Sequence, residues 1–154
     1  MQTILSKIDY CNSLLYGANE DLLDKLQIAM NNTARIVLRK KKCDSASQML
    51  RDLHWLPIVK RIEFKLATFC FGYFDGSLPK YLSEELTLYQ PVRTLRSSSD
   101  PRIFVIPQTN LRLGEKAWYH AGPKIWNALP KHIRNCVTKK EFKKKLKTHY
   151  FNAS

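Results

Sequence analysis

Apolar residues recur at intervals of three and four along most of this 154-residue chain, a spacing that gathers them on one face of an α-helix rather than on one side of a strand. The clearest case begins at Asn19, a good N-cap residue. Glu20 and Asp21 follow at the positive end of the helix, and Leu22, Leu26, Ala29, Met30, Thr33 and Val37 form one stripe. Ahead of it, Ile4, Ile8, Cys11 and Leu15 keep a similar interval, with Gly17 placed to stop that helix. Asp44 or Ser45 opens a short helix that runs to about Leu53. Pro57 suits the first turn of the next, where a missing N–H costs nothing. That helix is expected to bury Ile58, Ile62, Leu66, Phe69, Cys70 and Tyr73 and to end before the Asp75-Gly76 turn. A further turn starts at Pro79 and runs to about Leu86. At the C-terminal end, Thr138 followed by Glu141 forms a capping box, and Phe142, Leu146 and Tyr150 repeat on one face.

The periodicity lapses between these helices. Residues 87–101 hold Pro91, Arg93, Arg96, three serines and Pro101, a composition that reads as an extended connector. Beyond it, Ile103–Ile106 and Leu111–Leu113 predict a small β-hairpin around Gln108–Asn110. Residues 115–128 predict helix interrupted at Gly122-Pro123. The expected fold is therefore mainly α. A helical bundle covers residues 1–86, the connector covers 87–101, and a smaller mixed segment covers 102–154, with a short hairpin and a basic terminal helix.

Charge narrows the class of partner. The chain has 26 Lys and Arg against 13 Asp and Glu, a net charge of +13 and a pI near 9.7. A field of that sign draws polyanions, nucleic acid foremost, with an acidic membrane surface as the rival and merely solvated lysines as the bland reading. The longest apolar patch, Leu66–Phe74, is broken by Thr68 and Gly72 and is far short of a membrane span, and residues 1–8 hold no signal-peptide run. Four dispersed cysteines without a Cys-x-x-Cys pair do not suit a disulfide framework. The expectation is a soluble intracellular protein, nuclear or cytoplasmic, with no membrane partner.

Few residues are arranged for bond chemistry. Two-metal phosphoryl transfer needs close carboxylates on a rigid element, whereas Glu20-Asp21 falls at a helix start and Glu84-Glu85 on a short exposed helix. His132 with Cys136 is half of a zinc site, and no glycine-rich phosphate loop or nucleophile elbow is present. His54 reads as structural, Cys11 and Cys70 as small core residues. No cofactor, metal or catalytic residue is expected.

The positive signals are basic. Arg35, Arg39, Lys40, Lys41 and Lys42 crowd the end of the second helix, more cations than its dipole requires. Lys143, Lys144 and Lys147 lie on the final helix, among Lys139, Lys140 and Lys145, away from its apolar stripe. The connector adds Arg93 and Arg96, with Arg102 following. Such groups neutralise backbone phosphates without reading sequence. Trp118, Tyr89 and Tyr119 are candidates for stacking on bases, while Trp55 and Trp126 are expected to fill the core.

Several short words stand in fixed order without any folding rule demanding them: DYCNSLLYG at Asp9–Gly17, LHWLP at Leu53–Pro57, RIEFK at Arg61–Lys65, LRSSS at Leu95–Ser99 and WNALP at Trp126–Pro130. Together they resemble the stretch that follows the polymerase core in reverse transcriptases of LINE-type, jockey-like non-LTR retrotransposons. Leu26-Gln27, Asn31 or Asn32 and Ala34-Arg35 are similar to the family's pattern on the helix after the palm, Pro79–Leu82 to its Pro-x-Tyr-Leu, and Phe142–Lys147 to its closing Phe-Lys-x-x-Leu-Lys. The resemblance covers almost the whole chain. The family's Tyr-x-Asp-Asp hairpin is missing from this sequence.

The resemblance implies that residues up to about 86 correspond to the polymerase thumb, which grips the template–primer duplex, and the remainder to the C-terminal region. It implies an incomplete element product beginning at an internal methionine and not an enzyme in its own right. Its partners would be RNA or RNA–DNA duplex, and the rest of a retrotransposon polymerase. A second reading, of another class, is a non-catalytic helical module that docks on a protein through its Trp and Phe residues.

Overall fold

The structure, a computed structural model, describes residues 2–41, 43–90 and 101–152. Among them are nine α-helices and one 3-10 turn. No regular strand occurs among the described residues, whose β-structure is the isolated antiparallel bridge between Leu88 and Phe104. The chain divides into two compact units, Met1–Phe64 with Lys147–Ser154, and Lys65–Leu146.

The first unit holds α1 (Gln2–Asp9), the 3-10 turn (Asn12–Leu15), α2 (Glu20–Leu38) and α3 (Ala46–Asp52). It also holds the start of α4 (Ile58–Phe74) and the end of α9 (Lys139–Asn152). The helix expected through Leu15 breaks at Cys11, which takes a left-handed backbone at φ 52°. Helix α2 is capped as expected, the Asn19 side chain accepting from the Asp21 N–H at 3.3 Å. It packs against α3, with Met30, Thr33 and Ala34 buried. Leu22 and Ala29 fall outside that stripe and are exposed, because the buried face is centred on Met30 and Ala34, four residues apart. Arg61, near the start of α4, grips Asp9 at the end of α1 through both carboxylate oxygens, at 2.6 and 2.8 Å, and its Nε donates to the Leu56 carbonyl at 2.9 Å.

Both α2 and α3 end in Schellman turns with a side-chain-bearing residue where glycine is usual. After α2, the Lys40 N–H donates to the Arg35 carbonyl at 3.0 Å and the Arg39 N–H to Ile36 at 3.4 Å, with Arg39 at φ 52°. After α3, the Trp55 N–H donates to the Leu50 carbonyl at 2.8 Å and the His54 N–H to Arg51 at 2.9 Å, with His54 at φ 53°. The LHWLP word is thus a helix stop. His54 reverses the chain, Trp55 takes the position whose apolar contact with the last turn accompanies this motif, and Leu56 is buried beyond it.

The second unit is built on an aromatic core. Phe71 stacks on Phe142 with ring centres 4.6 Å apart, and Phe74 stacks on Trp126 at 5.3 Å. Phe104 meets Tyr73 edge-on at 5.2 Å. Around this core lie α5 (Lys80–Ser83), α6 (Arg112–Lys116), α7 (Trp118–Ala128) and α8 (Lys131–Arg134), with most of α4 and α9.

Two expectations fail here. The predicted hairpin does not form. Residues 103–105 pair instead with 87–89, the Tyr89 N–H donating to Ile103 and the Val105 N–H to Thr87, both at 2.8 Å, while Arg112–Lys116 is helical. The expected interruption also moves. Helix α7 runs through Pro123, and the break falls at Ala117, extended at ψ 151°. Burial of Ala121, Gly122, Pro123, Ile125 and Trp126 together outweighs the one backbone bond that proline removes. The capping box at Thr138 is half-formed. Its hydroxyl accepts from the Glu141 N–H at 3.3 Å, but the Glu141 carboxylate turns to Lys145 at 2.7 Å.

Candidate nucleic-acid interface

The end of α2 brings four of the predicted cations together along the chain, and they are not equivalent. Arg35 is half-buried. One guanidinium N–H donates to the Asn32 Oδ1 at 2.9 Å, while its Nε is buried with no partner. Arg39, Lys40 and Lys41 are exposed. Arg39 in the left-handed position turns the backbone, so three successive cationic residues leave the helix axis instead of winding around it. The Asp44 carboxylate accepts from the Lys41 backbone N–H at 2.8 Å and tightens that turn. Lys42, Arg93 and Arg96 lie outside the described residues.

Helix α9 sorts its lysines into two sets. Lys139 donates to the Ser77 hydroxyl at 2.6 Å and lies 3.9 Å from the Asp75 carboxylate. Lys145 pairs with Glu141; the hydrogen bond between them holds the Glu141 carboxyl below its ordinary value and the Lys145 amine above its own. The other set is Lys140, Lys143, Lys144 and Lys147, all exposed and following the i, i+3, i+4, i+7 rule that normally marks an apolar stripe. At 100° per residue these four share one arc, while Phe142, Leu146 and Tyr150 are buried on another. The Lys147 ammonium lies 5.8 Å from the Phe151 ring centre. Lys140 was absent from the expected contacts, and its spacing from Lys143, Lys144 and Lys147 was the signal.

Other expected contacts are absorbed by structure. Arg102 is half-buried, donates to the carbonyls of Arg134 and Cys136 at 2.8 and 2.9 Å, and lies over Phe74, so it holds protein rather than phosphate. Trp118 donates to the Leu82 carbonyl at 3.0 Å and meets Phe69 edge-on, which removes it as a base platform; Tyr119 is half-buried. Tyr89 remains exposed. Trp126 is fully buried as expected, its indole donating to the Arg102 carbonyl at 2.7 Å. Trp55 is only half-buried. Cys70 is a core residue, but Cys11, expected to be one, is exposed.

Among the described residues no group of His, Cys, Asp and Glu is arranged to hold a metal ion, and no helix is long and apolar enough to cross a membrane. No family model matches the chain, and neither a curated protein nor a solved structure matches it.

Proposed function

We propose that this chain is a thumb and C-terminal segment of a non-LTR retrotransposon reverse transcriptase, without that enzyme's catalytic carboxylates, which holds RNA or RNA–DNA duplex by its phosphate backbone. The observation that carries the binding half of this reading is the exposed stripe of Lys140, Lys143, Lys144 and Lys147. Seven residues of helix rise about 10 Å, enough to face about three phosphates of one strand at ~3.4 Å each. Lysine offers a point charge without a fixed fork, which suits contact with phosphate rather than with base edges. The exposed Arg39, Lys40 and Lys41 supply a second cationic surface. The family half of the reading rests on the ordered words of the sequence alone.

The test is binding to two RNA–DNA duplexes of unrelated sequence. The reading expects equal affinity for both, and a large loss for each when Lys140, Lys143 and Lys144 are changed to Glu. A strong preference for one sequence, or no effect of charge reversal, contradicts it.

A second reading, a non-catalytic protein-interaction module, is favoured by one feature. Helix α2 leaves Ile28 57% and Ile36 67% exposed, two turns apart. A complex with a protein partner that survives nuclease treatment and is lost on Ile28→Glu with Ile36→Glu would support that reading.

A further inference from the structure

We propose that the cavity behind the Trp55 turn is a slot for one unpaired nucleobase of a strand whose backbone is held by Arg39, Lys40 and Lys41 of the same unit; the proposal rests on the nucleic-acid reading above and names what the first unit recognises besides phosphate. The cavity measures about 330 Å³, at the small end of the ~300–1,000 Å³ typical of small-molecule sites. Trp55 and Phe151 contribute aromatic walls, Leu50 and Pro57 apolar floor, and Asn31, Ser47 and Arg51 polar groups. Every one of these residues belongs to the first unit.

The polar side of the cavity is pre-set. The Ile58 backbone N–H, an orphan donor in the first turn of α4, donates to Gln27 Oε1 at 2.9 Å. That bond fixes which end of the Gln27 amide is oxygen, so the other end is Nε2, and it donates to Asn31 Oδ1 at 2.8 Å. Asn31 is thereby held with its oxygen partly used and its Nδ2 donors directed away from Gln27. An oriented amide of this kind, one acceptor lone pair beside two N–H donors, matches the paired donor and acceptor on a base edge. Gln27 itself touches the ligand little, since both ends of its amide are engaged; it positions Asn31.

The aromatic side is held by strain. Trp55 and Phe151 form no ring pair with each other, and Phe151 is met edge-on by His54 at 6.3 Å. His54 occupies the left-handed region, which is unfavourable for a residue with a Cβ. Such strain persists where the surroundings hold it and gathers at binding sites. The reversed residue His54 lies edge-on to Phe151, and Trp55, which follows it, lines the cavity. Stacking on aromatic walls tolerates any base, in keeping with phosphate contacts that read no sequence.

The experiment uses the whole chain and two single strands of equal length, an oligo-deoxyadenosine and a fully abasic deoxyribose-phosphate strand. The oligo-deoxyadenosine should bind about 5- to 150-fold more tightly, the range expected from stacking one base. Trp55→Leu should bring it down to the abasic value and leave abasic binding unchanged, while Trp55→Phe should restore the difference. Asn31→Asp keeps the acceptor for Gln27 but removes the donors, so it should shrink the difference without unfolding the unit, and circular dichroism checks that all three variants remain helical. Equal binding of the two strands overturns the slot while leaving backbone binding intact. Failure of both strands to bind overturns the slot, and binding of the RNA–DNA duplex in the same buffer then shows whether the backbone reading stands without it. Adenosine monophosphate that competes as well as the strand, nucleotide for nucleotide, assigns the cavity to free nucleotides and overturns its assignment to a strand; weak competition supports it.

Discussion

Asn127 holds Phe104 by both ends of its peptide. Its amide nitrogen donates to the Phe104 carbonyl at 2.8 Å and its oxygen accepts from the Phe104 N–H at 3.1 Å. The neighbouring Trp126 indole donates to the Arg102 carbonyl at 2.7 Å. The Trp-Asn pair of the WNALP word therefore pins an extended segment to a helix, as a partner strand would, in a unit whose described residues form no sheet. Asn127 satisfies both backbone groups of buried Phe104, while the Arg102 carbonyl accepts from the Trp126 indole and, at 3.4 Å, from the Arg134 guanidinium.

Asn127→Leu removes both of these bonds and leaves a part-buried peptide unsatisfied. The expected loss is about 2–4 kcal/mol in urea unfolding, from two groups at ~1–3 kcal/mol each less the gain from a larger apolar side chain. Asn127→Asp keeps the acceptor and loses the donor, so it should fall between Leu and wild type. Equal stability of all three would show that the clamp is incidental.

Gly122 is fixed by packing. A Cβ there would lie 2.9 Å from the Trp118 ring and 3.2 Å from the Cys70 sulfur. Trp118 has no freedom to yield, because its indole is bonded to Leu82 and its ring set against Phe69. Gly122→Ala should lower stability by about 1–3 kcal/mol despite its better helix propensity, measured by thermal unfolding. A rise in Tm would contradict this packing.

Arg39 should show a conflict between stability and binding. Its left-handed backbone at φ 52° favours glycine. Relief of the strain, less the added entropy of the unfolded chain, predicts that Arg39→Gly gains about 0.5–1 kcal/mol. The same change removes an exposed cation and should weaken duplex binding. A variant that is neither more stable nor weaker in binding removes Arg39 from both roles.

The four cysteines should divide evenly in reactivity. Cys11 and Cys43 are exposed, whereas Cys70 and Cys136 are buried, and burial pushes both of those thiols above their ordinary value. Two thiols should react at once with an aromatic disulfide reagent in native buffer, and four in urea. Three or more fast thiols in native buffer would contradict the burial of Cys70 or Cys136.

Asp75 sets part of the acid limit of the second unit. Desolvation pushes its carboxyl up, but hydrogen bonds from Ser77 and the charge of Lys139 outweigh this and hold it below its ordinary value. A carboxyl lowered in the folded state adds stability above its unfolded value, which is lost as pH falls through the folded one. Asp75→Asn should therefore cost stability at neutral pH and flatten the decline below pH ~4. An unchanged acid limb would contradict it.

The sequence was most legible where one helix face carries the information. Asn19 as cap, Pro57 before α4, the Asp75-Gly76 stop and the Phe142, Leu146 and Tyr150 stripe all follow from local spacing, and each stands in the structure. The hairpin failed because its signal was four residues of apolar run and three of alternation, too short to decide a partner. Ile103–Val105 found residues 87–89 instead, and Asn127 closed its other side. Arg102 misled for a related reason. Its charge is visible in sequence, but the two carbonyls that consume it come from positions 134 and 136. The Trp55 cavity was not legible at all, since its walls come from α2, α3, the turn after α3 and Phe151. Lys140 was readable, given a search for the helical rule among lysines rather than among apolar residues.

The most direct measurement of the central claim is the salt dependence of binding to an RNA–DNA duplex. If Lys140, Lys143, Lys144 and Lys147 hold phosphates, log Kobs falls linearly with log salt concentration, and each lysine changed to Gln reduces the slope by about 0.9 or slightly less. A slope near zero, or one that these substitutions leave unchanged, would contradict the account.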